Sequence, residues 1–86
     1  MKIDSLQFVR RLGPDPHAQG AQTVALAGCP DLWELGTGDF AVIGIDITAQ
    51  VLGRLPESAN CGPDERVVMV PRKTLVSARM DIPVDV

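Results

Sequence analysis

The clearest hydrophobic pattern of the chain lies between residues 32 and 47. Two apolar runs there flank the turn sequence GTGD at residues 36–39. Glycine adopts positive φ without a Cβ clash and aspartate hydrogen-bonds its own turn, so the pattern predicts a β-hairpin. The second run, residues 40–47, is almost continuously apolar. That property predicts a strand buried on both faces in the centre of a small sheet.

Weaker patterns on both sides of this hairpin predict further strands and two short helices. Residues 21–28 and 66–70 have the apolar content of strands. Residues 48–55 have helical spacing that Pro56 ends, and Pro71 is well placed to begin a helix over residues 72–80. The sequence therefore predicts an α+β fold with a small, mostly antiparallel sheet of three to four strands and one or two short helices.

The N-terminal residues differ from the rest of the chain. Apolar residues recur at every third position up to residue 12, which favours a short helix or a loosely held arm over an edge strand. Residues 13–20 contain two prolines between two glycines, which predicts a loop. We therefore expect an arm and a Pro/Gly loop over residues 1–20, a single α+β domain over residues 21–80 and a C-terminal tail over residues 81–86.

Length and composition narrow the classes of function. A chain of 86 residues buries only about two-thirds of its unfolded surface. We therefore expect a homo-oligomer, in which a second copy covers a sheet edge or an apolar face. Aromatic residues make up only 3%, which argues against a surface that stacks bases or sugars. The net charge of -3 and pI of about 4.8 argue against nucleic acid as the partner.

Membrane insertion and export are not expected. No run approaches the length of about 18 apolar residues that a membrane span needs. The first thirteen residues contain Asp4 and the pair Arg10-Arg11, which is not typical of a secretory signal. With two cysteines in the chain, this predicts a cytoplasmic protein.

The residues able to carry catalysis or bind metal are sparse. Cys29 and Cys61 each precede a predicted strand. There are four alternatives for this pair: a disulfide, half a metal site, a redox pair, or two ordinary thiols. No CxxC motif occurs and His17 is the single histidine, whereas structural zinc takes four ligands. We therefore expect no catalytic residue, no bound metal and no cofactor. A small metal- or thiol-dependent enzyme built on His17, Cys29 and Cys61 remains an alternative.

The distribution of charge is the most informative feature. Between residues 66 and 80 there are four cations and no acid, whereas the rest of the chain has four cations and eleven acids. A local positive element on an acidic chain suits phosphate, an acidic partner or the acidic face of another copy. A solvated helix face is the simpler interpretation. Trp33 is a weaker candidate, as an interface anchor or a large core residue. The candidate partner-binding residues are Arg66, Arg72, Lys73, Arg79 and Trp33.

Several sequence blocks together resemble a group of short uncharacterised proteins from high-GC actinobacteria. These blocks are GDFAVIG at residues 38–44, RLP at 54–56, GPDERVV at 62–68, VPR at 70–72 and TL at 74–75. The resemblance covers residues 29–83 and implies a bacterial cytosolic setting without implying an activity. Residues 66–75 also resemble the strand, proline and basic helix of AbrB-type swapped-hairpin transcription factors. Members of that family are obligate dimers that present basic residues to DNA. Here the Gly-Asp strand precedes this segment, and the chain is acidic.

The expected function follows from the localised charge and the poor catalytic inventory. We expect a non-catalytic protein-interaction or accessory module, homodimeric, whose basic segment 66–79 faces an acidic protein partner. The alternatives are an AbrB-like DNA-binding or antitoxin-type regulator and the small enzyme named above.

Overall fold

The computed structural model describes residues 6–15 and 30–85. This part of the chain forms a three-stranded antiparallel sheet, a separate two-stranded antiparallel sheet and two short α-helices. The predicted α+β class is confirmed, and the predicted strand at residues 21–28 lies outside the described residues. The elements are β1 (Phe8–Arg11), β2 (Asp31–Leu35), β3 (Phe40–Ile43), β4 (Ile45–Asp46), α1 (Thr48–Val51), β5 (Val68–Met69) and α2 (Arg72–Ala78).

Strands β2 and β3 form the hairpin that the turn sequence predicts. Gly38 has a φ of 92°, a conformation that L side chains rarely adopt, and its amide donates to the carbonyl of Leu35 at 2.9 Å. The hydroxyl of Thr37 donates to the carboxylate of Asp39 at 3.2 Å. The hairpin prediction is therefore confirmed, with the glycine at the position where the turn requires positive φ.

Among the three described strands of the first sheet β2 is central, and the prediction that residues 40–47 form one central strand is wrong because the run divides into β3 and β4. The strand order is β1-β2-β3. The β3 side chains of Phe40, Val42 and Ile43 are 45%, 48% and 41% exposed, so the strand is not buried on both faces. A continuous apolar run cannot distinguish one buried strand from a strand that changes sheets midway.

The change of sheets occurs at Gly44. The chain leaves the first sheet there, and β4 then pairs with β5. A Cβ atom on Gly44 would lie 2.6 Å from the carbonyl oxygen of Met69 and 2.7 Å from Cγ1 of Val68. Only glycine fits without movement of β5, because every other residue places a carbon in this space.

The N-terminal segment forms an edge strand, so the favoured helix or loose arm is wrong for residues 8–11. Strand β1 pairs antiparallel with β2 and has a bulge between Phe8 and Arg10. The spacing of every third residue fits a helix only roughly, and pairing with β2 determines the conformation instead.

Helix α2 covers one face of the first sheet. Its Ala78 is fully buried and packs with Leu12 and Leu32, the buried apolar core of the described residues. The helix comes close to Gly13, where an added Cβ would lie 3.2 Å from Cα of Ala78. Just beyond the helix, the carboxylate of Asp81 accepts a hydrogen bond from the amide of Gly13 at 2.7 Å. Helix α2 is therefore held against the first sheet by the apolar contact of Ala78, and the residue just after it is held by the hydrogen bond from Gly13 to Asp81.

Helix α1 joins the second sheet to the long loop before β5. The carboxylate of Asp46 accepts the amide of Thr48 at 3.0 Å, and the hydroxyl of Thr48 accepts the amide of Val67 at 2.7 Å. The pKa of Asp46 is lowered below its ordinary 3.8. The main cause is the hydrogen bond from the side chain of Thr48, followed by the bond from the backbone of Thr48, and the charge of Arg66 has a smaller effect. After one turn the helix tightens into a 3₁₀ turn over Leu52–Arg54. In the described ranges, neither α1 nor α2 is long and apolar enough to span a bilayer.

Candidate interaction surface

The described residues leave much more apolar side chain exposed than buried. Three apolar residues form the core, whereas fifteen large apolar side chains are exposed. Single exposed apolar residues are ordinary, but contiguous groups of them mark interaction sites in soluble proteins. The location of these side chains therefore indicates where a partner is to be sought.

Six of the exposed apolar side chains lie on three consecutive strands. We call them the β3–β5 patch, and they are Phe40, Val42, Ile43, Ile45, Val68 and Met69. They do not share one face, because Phe40 and Val42 lie on the α2 side of the first sheet, Ile43 lies on its opposite side, and the other three belong to the second sheet. Their exposed fractions lie between 38% and 60%. The one charged residue in these strands is Asp46, at the end of β4. The patch is therefore nearly uncharged.

The outer face of α2 combines cations with apolar side chains. Ala78 is buried and Thr74 is half-buried, which identifies the side of the helix that faces the sheet. Successive residues turn by about 100°, so the α2 outer face turns away from the sheet, with Leu75 at its flank. We define that face as Arg72, Leu75, Val76 and Arg79, all of which are exposed. The two arginines are seven residues apart, about 10 Å along a helix axis.

The electrostatic environment of α2 is unfavourable to its own cations. Arg72 and Lys73 lie in the first turn, where the helix dipole is positive, and that turn contains no acid. Pro71 at the N-cap provides no side-chain hydrogen bond. Arg72 forms no hydrogen bond or ion pair with another described residue, while Arg79 donates to the carbonyl of Val76 at 3.0 Å. Arg72 at the start of α2 thus costs stability, about 0.3–1 kcal/mol.

Arg66 lies apart from α2, before β5. Its guanidinium is 3.7 Å from the carboxylate of Asp46 and donates to the carbonyl of Glu65 at 2.9 Å. Both side chains of the ion pair are largely exposed, so the pair contributes little to stability. Arg66 also lines a shallow, open depression of about 470 Å³ beside α1. This predicted partner residue therefore belongs to the end of the second sheet.

Trp33 is held within its own chain. Its indole N–H donates to the carboxylate of Asp31 at 2.9 Å, the guanidinium of Arg11 lies 4.5 Å from the ring centre, and the ring of Phe8 meets it edge-on at 5.6 Å. Side chains alternate along a strand, so Trp33 faces away from α2, which packs against Leu32. The predicted set of partner residues is not gathered in one place: Trp33 and the α2 cations lie on opposite faces of the sheet.

Asp31 is the buried polar residue of the described part of the chain, and the sequence did not mark it as a candidate. It is 7% exposed and begins β2. Its carboxylate accepts Nε of Arg11 at 3.1 Å and the amide of Leu32 at 3.1 Å, besides the indole of Trp33. The bond to Asp31 raises the pKa of Arg11 above its ordinary value. Three groups thus satisfy the buried charge, and no spacing rule predicts the cluster because Arg11 joins it from 20 residues away.

The described residues show no assembled catalytic or metal-binding set. The free thiol of Cys61 is half-buried and donates to the carbonyl of Glu65 at 3.4 Å. Within the described ranges, no group of three or more His, Cys, Asp and Glu side chains is placed to hold a metal ion. His17 and Cys29, the other residues of the alternative enzyme hypothesis, lie outside these ranges.

Comparisons with protein-family models, curated proteins and solved structures find no match to this chain. The resemblances to short actinobacterial proteins and to the AbrB type therefore stay predictions.

Proposed function

We propose that this chain is a non-catalytic protein-interaction module that acts as a homodimer and contacts an acidic protein through its basic segment. Arg72, Lys73 and Arg79 of this segment are central to the contact, and Arg66 lies at its margin. The observation that carries the proposal is the α2 outer face, where exposed cations flank exposed apolar side chains. Arg72 in the first turn of α2 opposes the helix dipole, so its presence is better explained by a partner than by folding.

The apolar part of the α2 outer face favours an acidic protein over a bare phosphate. Leu75 and Val76 are 50% and 45% exposed and lie between Arg72 and Arg79 on the helix surface. Covering the exposed half of both side chains contributes about 2 kcal/mol. Carboxylates of the partner would steer the encounter, and apolar contact would supply the rest of the affinity.

The proposal is tested with a labelled amphipathic peptide of alternating Leu and Glu blocks, followed by fluorescence anisotropy. We expect binding in the range of tens of micromolar at low salt, and a loss of about tenfold as salt screens the charges. A matched peptide with Lys in place of Glu should not bind. Equal binding of the two peptides would contradict the proposal.

Matched variants locate the binding on the chain. Arg72→Glu combined with Arg79→Glu should weaken the acidic peptide at least about tenfold, since two attractions become repulsions. Arg54→Glu is the control, because Arg54 is also exposed but lies in the turn after α1. Wild-type affinity in the double variant, or the same loss in the control, would remove α2 from the contact.

A DNA-binding regulator is the second candidate, favoured by the exposure of three cations on one helix. It predicts that a mixed-sequence DNA duplex shifts in a gel at low salt and that the shift weakens steeply as salt rises. The absence of any shift at low salt would remove this candidate. Both candidates use Arg72, Lys73 and Arg79, so binding of the acidic peptide without a shift of the duplex supports the first candidate, and a shift of the duplex without peptide binding supports the second.

A further inference from the structure

Strand β3 has an unpaired outer edge among the described residues. The amide of Leu35 donates to the carbonyl of Asp39 at 2.8 Å, so the residues of β3 with odd numbers form the bonds to β2. The N–H and C=O groups of Phe40 and Val42 point away from β2. No other described strand pairs with β3.

Both faces of β3 are also uncovered. Phe40 and Val42 lie on the face that α2 packs against, yet they are 45% and 48% exposed. Ile43 lies on the opposite face and is 41% exposed. Sheet edges are normally protected by a charged residue, a proline or a covering segment. Strand β3 contains neither a charge nor a proline, and the described residues provide no cover.

We infer that a second copy of this chain pairs with the outer edge of β3, with the two β3 strands antiparallel. A two-fold axis perpendicular to the sheet brings residues of the same face opposite each other. With the axis at Ala41, Phe40 of each copy lies opposite Val42 of the partner subunit. The outward backbone groups of both residues then bond across the interface, and each copy gains two aromatic–β-branched pairs.

The charges favour a second copy at β3 and disfavour it at α2. Two-fold pairing of β3 brings no charged side chains directly opposite each other within the strand. Two-fold pairing through the α2 outer face would instead bring Arg72 and Arg79 against the same cations of the partner subunit, which is repulsive. The two surfaces therefore suit different occupants: another copy at the sheet edge and an acidic protein at the helix.

The available area predicts a weak dimer. The three exposed side chains of β3, Phe40, Val42 and Ile43, expose roughly 200–300 Å² of apolar surface per chain, given their exposed fractions. A standard stable interface hides about 800 Å² per partner. We therefore expect a dissociation constant in the micromolar range, with monomer in dilute solution. The inference rests on the homodimer of the proposed function and adds the surface that forms it.

The first test is sedimentation velocity over a range of concentrations. The wild type should pass from monomer to dimer as its concentration rises through the micromolar range. Val42→Lys should raise the dissociation constant about 100-fold, because each copy then places a charge opposite the apolar ring of Phe40 of the partner subunit. Leu52→Lys is the matched control, since Leu52 is 51% exposed but lies outside β3. Circular dichroism confirms that each variant is folded.

The second test is a disulfide across the axis, which does not depend on a destabilising variant. Ala41 and Ala41 of the partner subunit form a pair without mutual hydrogen bonds, with Cα atoms about 4.5 Å apart. That distance lies within the range of disulfides. Ala41→Cys, in a chain with Cys29→Ser and Cys61→Ser, should therefore oxidise to a covalent dimer. Ser77→Cys, on exposed α2, is the control and should cross-link far less.

The outcomes separate this inference from the proposed function. A wild type that stays monomeric at every concentration overturns the homodimer and this interface together. A dimer that Val42→Lys leaves unchanged, with no cross-link through Ala41→Cys, overturns the β3 interface alone. Binding of the acidic peptide is measured independently of both.

Discussion

Replacement of Gly44 by alanine is expected to destabilise the fold, because the added methyl group has no room. Its carbon would lie 2.6 Å from the carbonyl oxygen of Met69, 2.7 Å from Cγ1 of Val68 and 2.8 Å from Cγ1 of Val70. A valine side chain can change rotamer, but the carbonyl belongs to the backbone of β5. Strands β4 and β5 must therefore move apart to admit the methyl group.

The size of the effect follows from two opposing contributions. Gly44 does not have positive φ, so the backbone conformation itself accepts alanine. Forcing a methyl group into an occupied space costs about 1–3 kcal/mol. The smaller entropy of the unfolded chain returns about 0.4–1 kcal/mol. We therefore expect Gly44→Ala to lower the free energy of unfolding by about 1–2 kcal/mol.

Gly53 provides the matched control. It lies in the 3₁₀ turn after α1, and an added Cβ would have no heavy atom within 4 Å. Gly53→Ala should therefore raise stability by about 0.4–1 kcal/mol. Urea unfolding followed through the fluorescence of Trp33 measures both variants, at one fixed chain concentration because the proposed dimerisation would be coupled to folding. If Gly44→Ala is as stable as the wild type while Gly53→Ala behaves as expected, the close approach of β5 to Gly44 is wrong.

Three further substitutions test other parts of the fold. Asp31→Asn should lower the free energy of unfolding, measured in urea, by about 2–4 kcal/mol. The loss is smaller than for a fully buried ion pair because Arg11 keeps contact with solvent. An unchanged urea midpoint would show that the Asp31 cluster does not stabilise the fold. Arg72→Glu should raise the free energy of unfolding by about 0.5–1 kcal/mol in thermal melts, since a carboxylate suits the first helical turn. The same variant should bind the acidic peptide more weakly. A variant that is less stable and also binds more weakly would point to misfolding instead. The pKa of Asp46 is lowered in the folded chain by the hydrogen bonds from Thr48, so its contribution is present above pH 3.8 and is lost as the pH falls through the folded-state pKa. The stability difference between wild type and Asp46→Asn should be constant above that pH and shrink below it in acid titrations, and a difference that grows towards acid would contradict the sign.

Local signals in the sequence predicted local structure well. The GTGD turn determines the hairpin because glycine and aspartate act within the turn itself. Pro71 correctly placed the start of α2, since a proline there limits only its immediate neighbours. The α+β class followed from these local elements.

Contacts between distant residues decided what the sequence did not predict. The position of β2 in the centre depends on pairing with β1, twenty residues away, and β1 itself has an ambiguous apolar spacing. Gly44 in an apolar run gives no sign that Met69 will lie against it. Exposure was misjudged for the same reason, because apolar character alone does not reveal whether another layer covers a strand.

The candidate surface was predicted in part. The basic segment did yield an exposed cationic helix face, since Arg72 and Arg79 are spaced for one side of α2. The position of Trp33 was not predictable, because the partners that hold it, Arg11 and Asp31, come from different strands and join only in the folded sheet. The exposure of Leu75 and Val76, the apolar neighbours of the α2 cations, depends on the packing of the helix and not on its sequence alone.

Amide hydrogen exchange along β3, resolved by NMR, tests most directly the central claim that the uncovered sheet edge is an interface. The amides of Ala41 and Ile43 bond to β2 and should be protected at every concentration. The amides of Phe40 and Val42 should exchange rapidly in dilute solution and slow down once the concentration exceeds the dissociation constant of the dimer. Rapid exchange of Phe40 and Val42 at every concentration, while Ala41 and Ile43 stay protected, would contradict the account.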